Sequence, residues 1–141
     1  MKKYICLIGF VVAVLSCSKD KSPFDSMRFP QKWKLVQISS QIGTVSSGED
    51  MEWQETYELQ ADGTFTKTRE QNNETISASG TFSYEEFSGD LYLILMYNSE
   101  SPIIGNCSAE AKEDLAVKED LSLVSTWQAC DGPGLVYERV D

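Results

Sequence analysis

The chain has 141 residues, with 12 Lys plus Arg against 22 Asp plus Glu and no histidine. A formal net charge of -10 excludes partners that need a basic footprint, nucleic acid above all. Without His there is no Ser-His-Asp triad, no Cys-His dyad and no His-ligated zinc or copper. The remaining Lys, Tyr, Cys and carboxylate side chains form no recognised catalytic spacing, so neither an enzyme, a cofactor nor a metal is expected.

Met1-Lys2-Lys3 is a short cationic start, followed by an apolar run from Ile5 to Leu15. The run is shorter than the ~20 residues that cross a bilayer and reads as a secretion signal. Val14-Leu15-Ser16-Cys17 resembles a bacterial lipobox, which implies removal of residues 1–16 and acylation of Cys17 by chains such as palmitate. Each buried methylene then contributes about 0.8 kcal/mol to membrane attachment. Ser18-Lys19-Asp20-Lys21 is similar to the charged export signal of Gram-negative lipoproteins, so the expected location is the outer membrane, facing periplasm or exterior. Asp25-Ser26-Met27 resembles an O-glycosylation site of the same bacteria. Residues 17–30 hold Ser, Lys, Asp and two prolines without periodicity and are expected to be a tether.

Residues 31–141 form the expected domain. Short runs with period-two alternation are separated by Asp-Gly, Asn-Asn, Ser-Gly and Gly-Pro-Gly, the signals of strands and hairpins. Strands are predicted over roughly 32–42, 50–60, 64–71, 74–85, 90–97, 101–107, 119–127 and 134–140, and residues 108–116 read as a polar loop or a turn or two of helix. The turns predict register. Gly63 in a three-residue loop sets Leu59 against Phe65, Tyr57 against Lys67 and Glu55 against Arg69. Asn72-Asn73 sets Arg69 against Ile76 and Phe65 against Gly80, and Ser88-Gly89 sets Tyr84 against Leu93 and Phe82 against Leu95. All three place Trp53, Tyr57, Leu59, Phe65, Ile76, Ala78, Phe82, Tyr84, Leu91, Leu93 and Leu95 on one core face, with a polar face opposite. One buried and one solvated face on eight strands predicts an all-β, antiparallel up-and-down barrel, with a sandwich as the alternative.

Lys67 and Arg69 share the face of Phe65. Charged groups are rarely buried unpaired, so the expectation puts them at the barrel's mouth, where Glu55 and Arg69 form a screened rim pair contributing about 0–1 kcal/mol. Tyr92, Ile94 and Met96 alternate with core residues, so the 90–97 strand is apolar on both faces and needs a cover, either the 108–118 loop or another protein. Cys107 and Cys130 are the cysteines left after Cys6 and Cys17. In an oxidising compartment they are expected to form a disulfide, because no third Cys or His completes a metal site.

Trp33-Lys34-Leu35, Glu55-Thr56-Tyr57, Ala61-Asp62-Gly63-Thr64-Phe65, Gly80-Thr81-Phe82, and Trp127 with Cys130-Asp131-Gly132-Pro133-Gly134 together resemble the lipocalin-like domain of small bacterial lipoproteins. The resemblance implies an eight-stranded meander barrel with an internal cavity and no catalytic residues, closed at one end by Trp33. The lipocalin signature has Gly two residues before this Trp, where this chain has Gln31. Two function classes follow. In the first, the barrel holds a small apolar or amphipathic molecule, with Trp33, Trp53, Glu55, Tyr57, Phe65, Lys67, Arg69, Phe82, Tyr84 and Tyr97 as candidate contacts. In the second, the barrel is filled and a protein partner or inhibited target meets the loops or the Tyr92, Ile94, Met96 stripe.

Overall fold

Backbone conformation at three tight turns sets the register of the sheet. In the computed structural model, which describes residues 28–140, Asn72 and Asn73 have φ of 53° and 63°, Ser88 and Gly89 have 55° and 89°, and Gly63 has 84°. These are the left-handed conformations that short hairpin loops demand. Leu59 pairs with Phe65, Glu55 with Arg69, Arg69 with Ile76, Phe65 with Gly80 and Tyr84 with Leu93, as the sequence predicts. Cys17, the lipobox, the export signal and the Asp25-Ser26-Met27 site lie outside the described residues.

The strands are β1 Gln31–Ser39, β2 Val45–Ser47, β3 Gln54–Leu59, β4 Thr64–Gln71, β5 Glu74–Phe87, β6 Asp90–Tyr97, β7 Lys112–Val117, β8 Leu123–Ser125 and β9 Gly134–Val140. Each of β3 to β8 pairs antiparallel with the next, and β1 pairs with both β3 and β9, which closes an eight-stranded barrel. The short β2 lies along β1 beyond the point where β3 departs. Closure removes the free edges that would otherwise invite pairing with other chains. Strand alternation turns Leu35, Leu59, Leu93, Leu115 and Leu123 into the barrel, where each is at most 1% exposed.

The structure corrects four expectations. Residues 101–107 form no strand, because Pro102 cannot donate to a ladder and the segment folds inward instead, burying Ile103. The barrel position is taken by β7, in the stretch expected to be a loop. The seventh position, expected over 119–127, is filled only by the three residues of β8. Ile76 is exposed, because β5 pairs with β6 only from Gly80 onward and the β4–β5 hairpin tip extends past the barrel wall.

The two ends are built differently. At the N-terminal end, Gln31 is 1% exposed, and its Oε1 accepts bonds from Trp33 Nε1 at 3.2 Å and Tyr84 OH at 3.1 Å. The amide thus satisfies two partly or fully buried donors where the lipocalin signature has Gly. Phe29 stacks at 5.7 Å on Phe82. At the opposite end, the 98–111 segment is joined to the turn at Thr126–Cys130 by the Cys107–Cys130 disulfide, with Cα atoms 5.6 Å apart. Trp127 is wedged between two glycines. A Cβ on Gly105 would come within 2.5 Å of its ring, and one on Gly132 within 2.3 Å.

Replacing Cys107 and Cys130 together by Ser is expected to cost roughly 3 kcal/mol, since the bridge closes a loop of 23 residues' separation. Chemical denaturation measures this. Gly105→Ala is expected to destabilise through the displaced Trp127 ring, and an unchanged midpoint would show that the ring is free to move.

Candidate functional site

Alternation along β3 and β4 brings Glu55, Tyr57, Lys67 and Arg69 into the barrel, and each is buried: Glu55 1%, Tyr57 0%, Lys67 0% and Arg69 9% exposed. The expected rim pair is therefore an interior one. The register is as predicted, but the 98–111 segment caps the end at which these charges sit, and a second carboxylate meets them. Lys67 Nζ faces three oxygens, Glu113 Oε1 at 2.7 Å, the Ile103 carbonyl at 2.7 Å and Glu55 Oε1 at 3.0 Å. That is as many acceptors as an ammonium has N–H bonds. Arg69 Nε donates to Glu55 Oε2 at 2.6 Å, and its Nη2 donates to the Ile103 carbonyl at 3.3 Å.

Tyrosines complete the network. Tyr137 OH donates to Glu55 Oε1 at 2.5 Å, while Tyr57 OH at 2.7 Å and Tyr97 OH donate to Glu113 Oε2. Gly105 N donates to Glu113 Oε1 at 2.5 Å. All four carboxylate oxygens thus have donors, and two cations balance two carboxylates. The rings pack edge to face, Tyr57 on Tyr137 at 5.0 Å and Phe65 on Tyr97 at 4.9 Å. Lys67 lies over the Tyr57 ring at 5.0 Å, and Arg69 over Trp53 at 4.5 Å.

The network is closed off from water: Tyr57, Lys67, Tyr137 and Leu59 present no surface that a water molecule could touch, so no water-sized void borders them. Burial and the neighbouring carboxylates hold the hydroxyl pKa values of Tyr57, Tyr137 and Tyr97 well above the usual tyrosine range. Burial pushes Tyr84 up to about 12.

The ten candidate contacts divide into separate groups. Glu55, Tyr57, Phe65, Lys67, Arg69 and Tyr97 come together in the interior. Trp33, Phe82 and Tyr84 gather at the N-terminal end, and Trp53 stands at the other end beneath Arg69. Glu113, Tyr137 and Ile103 belong to the network and were not among the predicted contacts. The signal for Glu113 lay in charge balance: two inward cations facing one inward carboxylate require another anion. The 92/94/96 stripe is uneven, with Ile94 buried, Tyr92 half-buried and Met96 48% exposed.

Outside the barrel, a cleft of about 570 Å3 opens past the end of β2, along the 48–54 segment. There β1 changes neighbours, pairing with β3 through Lys34 and with β2 from Gln37, so that Leu35 and Val36 pair with neither. Its walls include Lys34, Glu49, Met51, Trp53, Glu70 and the Asn72-Asn73 turn. A smaller hollow of about 210 Å3 shares Lys34, Gln54 and Glu70 with it.

No family model matches the chain, and no curated protein or solved structure matches it.

Removing one member of a buried ion pair leaves its partner uncompensated, at a cost of about 3–5 kcal/mol. Lys67→Met is expected to fall in that range, and adding Glu113→Gln to recover part of the loss; a double-mutant cycle by urea denaturation reads the coupling. Arg69→Ala is expected to destabilise about as much as Phe65→Ala, in place of the near-neutral effect of a rim charge.

The tyrosines predict the alkaline limit. Their folded pKa values are raised, so the stability they contribute is complete below the unfolded value near 10 and is lost as pH rises towards the folded values. Absorbance at about 295 nm should show Tyr57, Tyr97 and Tyr137 ionising only with unfolding. Smooth titration of all tyrosines near pH 10 in the folded state would contradict the network.

Proposed function

We propose that this chain is a lipid-anchored lipoprotein of a Gram-negative outer membrane, in which a lipocalin-like barrel is a filled scaffold and recognition takes place on its outer surface. The observation that supports the reading is the interior network: a buried ammonium with three acceptors, walled by the fully buried Tyr57 and Tyr137, takes the place beneath the 98–111 segment where a guest would enter. A carrier would have to break ion pairs in order to load.

Topology supports an orientation. The chain enters the barrel at the end occupied by Phe29, Trp33 and Tyr84, whereas the disulfide, the 98–111 segment and the β2 cleft lie at the opposite end. An acylated Cys17 would tether the first end and leave the second directed away from the membrane. No catalytic role is proposed: Lys67, Glu55 and Glu113 are each at most 2% exposed and are engaged with one another.

Two measurements test the reading. A neutral apolar fluorescent probe and a fluorescent fatty acid are both expected to show no saturable binding to the folded protein. Saturable uptake that is altered by Phe65→Ala would instead restore a carrier with an internal site. Cys17→Ala is expected to move the protein from the membrane fraction to the soluble one, and its retention in the membrane fraction would remove the anchor.

A further inference from the structure

We propose that the free edge of β5, over residues 74–78, takes up an extended segment of a partner protein as an added antiparallel strand, one that sets an apolar residue against Ile76 and a basic residue against Glu74. The inference deepens the reading of recognition on the outer surface and rests on it.

The edge exists because β5 outruns one of its neighbours. It pairs with β4 from Glu74 to Thr81, but β6 joins it only from Gly80, opposite Tyr97. One further bond continues that side, from Asn98 N to the Ser79 carbonyl at 2.9 Å, before the chain turns away to bury Ile103. The same bond shows which groups face the edge. Backbone groups along a strand alternate between its two sides, so Thr75 and Ser77 aim theirs the same way as Ser79. Among the described residues, nothing bonds to the backbone of either on that side.

Natural sheets blunt their edges with Lys, proline, a bulge or a covering loop. This edge has none of them. Glu74, Thr75, Ile76 and Ser77 are all exposed, the register against β4 runs without a break, and Thr75 and Ile76 are β-branched residues suited to a strand. A row of open N–H and C=O groups in extended geometry is matched by another extended backbone. The edge also lies at the end of the 98–111 segment, which the proposed anchor leaves directed away from the membrane.

Side chains select the partner. Thr75 and Ser77 would make the hydrogen bonds, so the residue added opposite Ile76 stands in a non-hydrogen-bonded pair, the kind in which side chains approach most closely. Ile76 is 39% exposed, and an aliphatic residue at that position covers it. Two residues further along an antiparallel partner, on the same face, comes the position opposite Glu74. A basic residue there forms an opposite-charge pair. The chain's net charge of -10 attracts such a segment and repels a second copy of this chain.

The test is a 15N NMR titration of the full chain in detergent with the end-capped peptide Thr-Thr-Val-Thr-Lys, which sets its Val opposite Ile76 and its Lys opposite Glu74. Saturable shifts are expected at the Thr75 and Ser77 amides, with their hydrogen exchange slowed. The peptide with Glu in place of Lys should bind about threefold more weakly. Ser77→Pro removes an edge N–H without touching the β4 ladder and should weaken binding at least about fivefold. If that variant unfolds, N-methylation of the peptide's second and fourth residues removes the donors from the other side, with the same expectation. No saturable shift at either amide, or binding indifferent to the Glu peptide, to the proline and to N-methylation, overturns the proposal. Shifts that appear with protein concentration alone also overturn it, by giving the edge to a second copy. If the apolar probe is excluded in the same preparation, the filled barrel stands without this partner. Uptake of that probe into the interior would instead remove the reading on which the inference rests.

Discussion

Lys67 carries an ammonium into the middle of the barrel, to a place that water does not reach, and that charge dictates what surrounds it. An isolated ammonium in such a medium would lose several kcal/mol of solvation. It is tolerated because Glu113, Glu55 and the Ile103 carbonyl converge on it from three elements. Each of those elements then has a fixed task. β7 must turn Glu113 inward, β3 must deliver Glu55, and the 98–111 segment must fold back far enough to present a backbone carbonyl. The disulfide to Cys130 and the seat of Trp127 between Gly105 and Gly132 hold that segment in place.

The same constraint shapes what the molecule can do. Buried ion pairs add little to stability compared with well-packed apolar groups, but they penalise any rearrangement that separates them. In the proposed reading, a barrel with such a centre serves as a stiff support, and recognition falls to the outside, where the strand pairing itself is interrupted. The break between β3 and β2 along β1 opens the cleft that Lys34 borders.

Much of the barrel was legible because its turns are chemically explicit. Asn72-Asn73, Ser88-Gly89 and Gly63 have conformational preferences strong enough to fix register across four strands, and the paired residues follow from counting. The second half was harder to read. Lys112-Glu113-Asp114 looks like a solvated loop because the inward residue is charged, and its reason for turning inward lies about 46 residues away in Lys67. Pro102 and Ile103 read as part of a strand because local apolarity does not distinguish a wall from a plug. The site itself was legible as residues on one face, but its burial was not, since the rule that charges avoid interiors yields where partners are supplied from a distant element.

The interior network is tested most directly by the side-chain ammonium of Lys67. In 15N-labelled protein, an ammonium held by three acceptors and closed off from water should give a distinct Nζ resonance with slowly exchanging protons, which Lys67→Met removes. The contrary result is a Lys67 ammonium that exchanges as fast as those of the exposed lysines, which would mean that water reaches the barrel centre and that the interior is open.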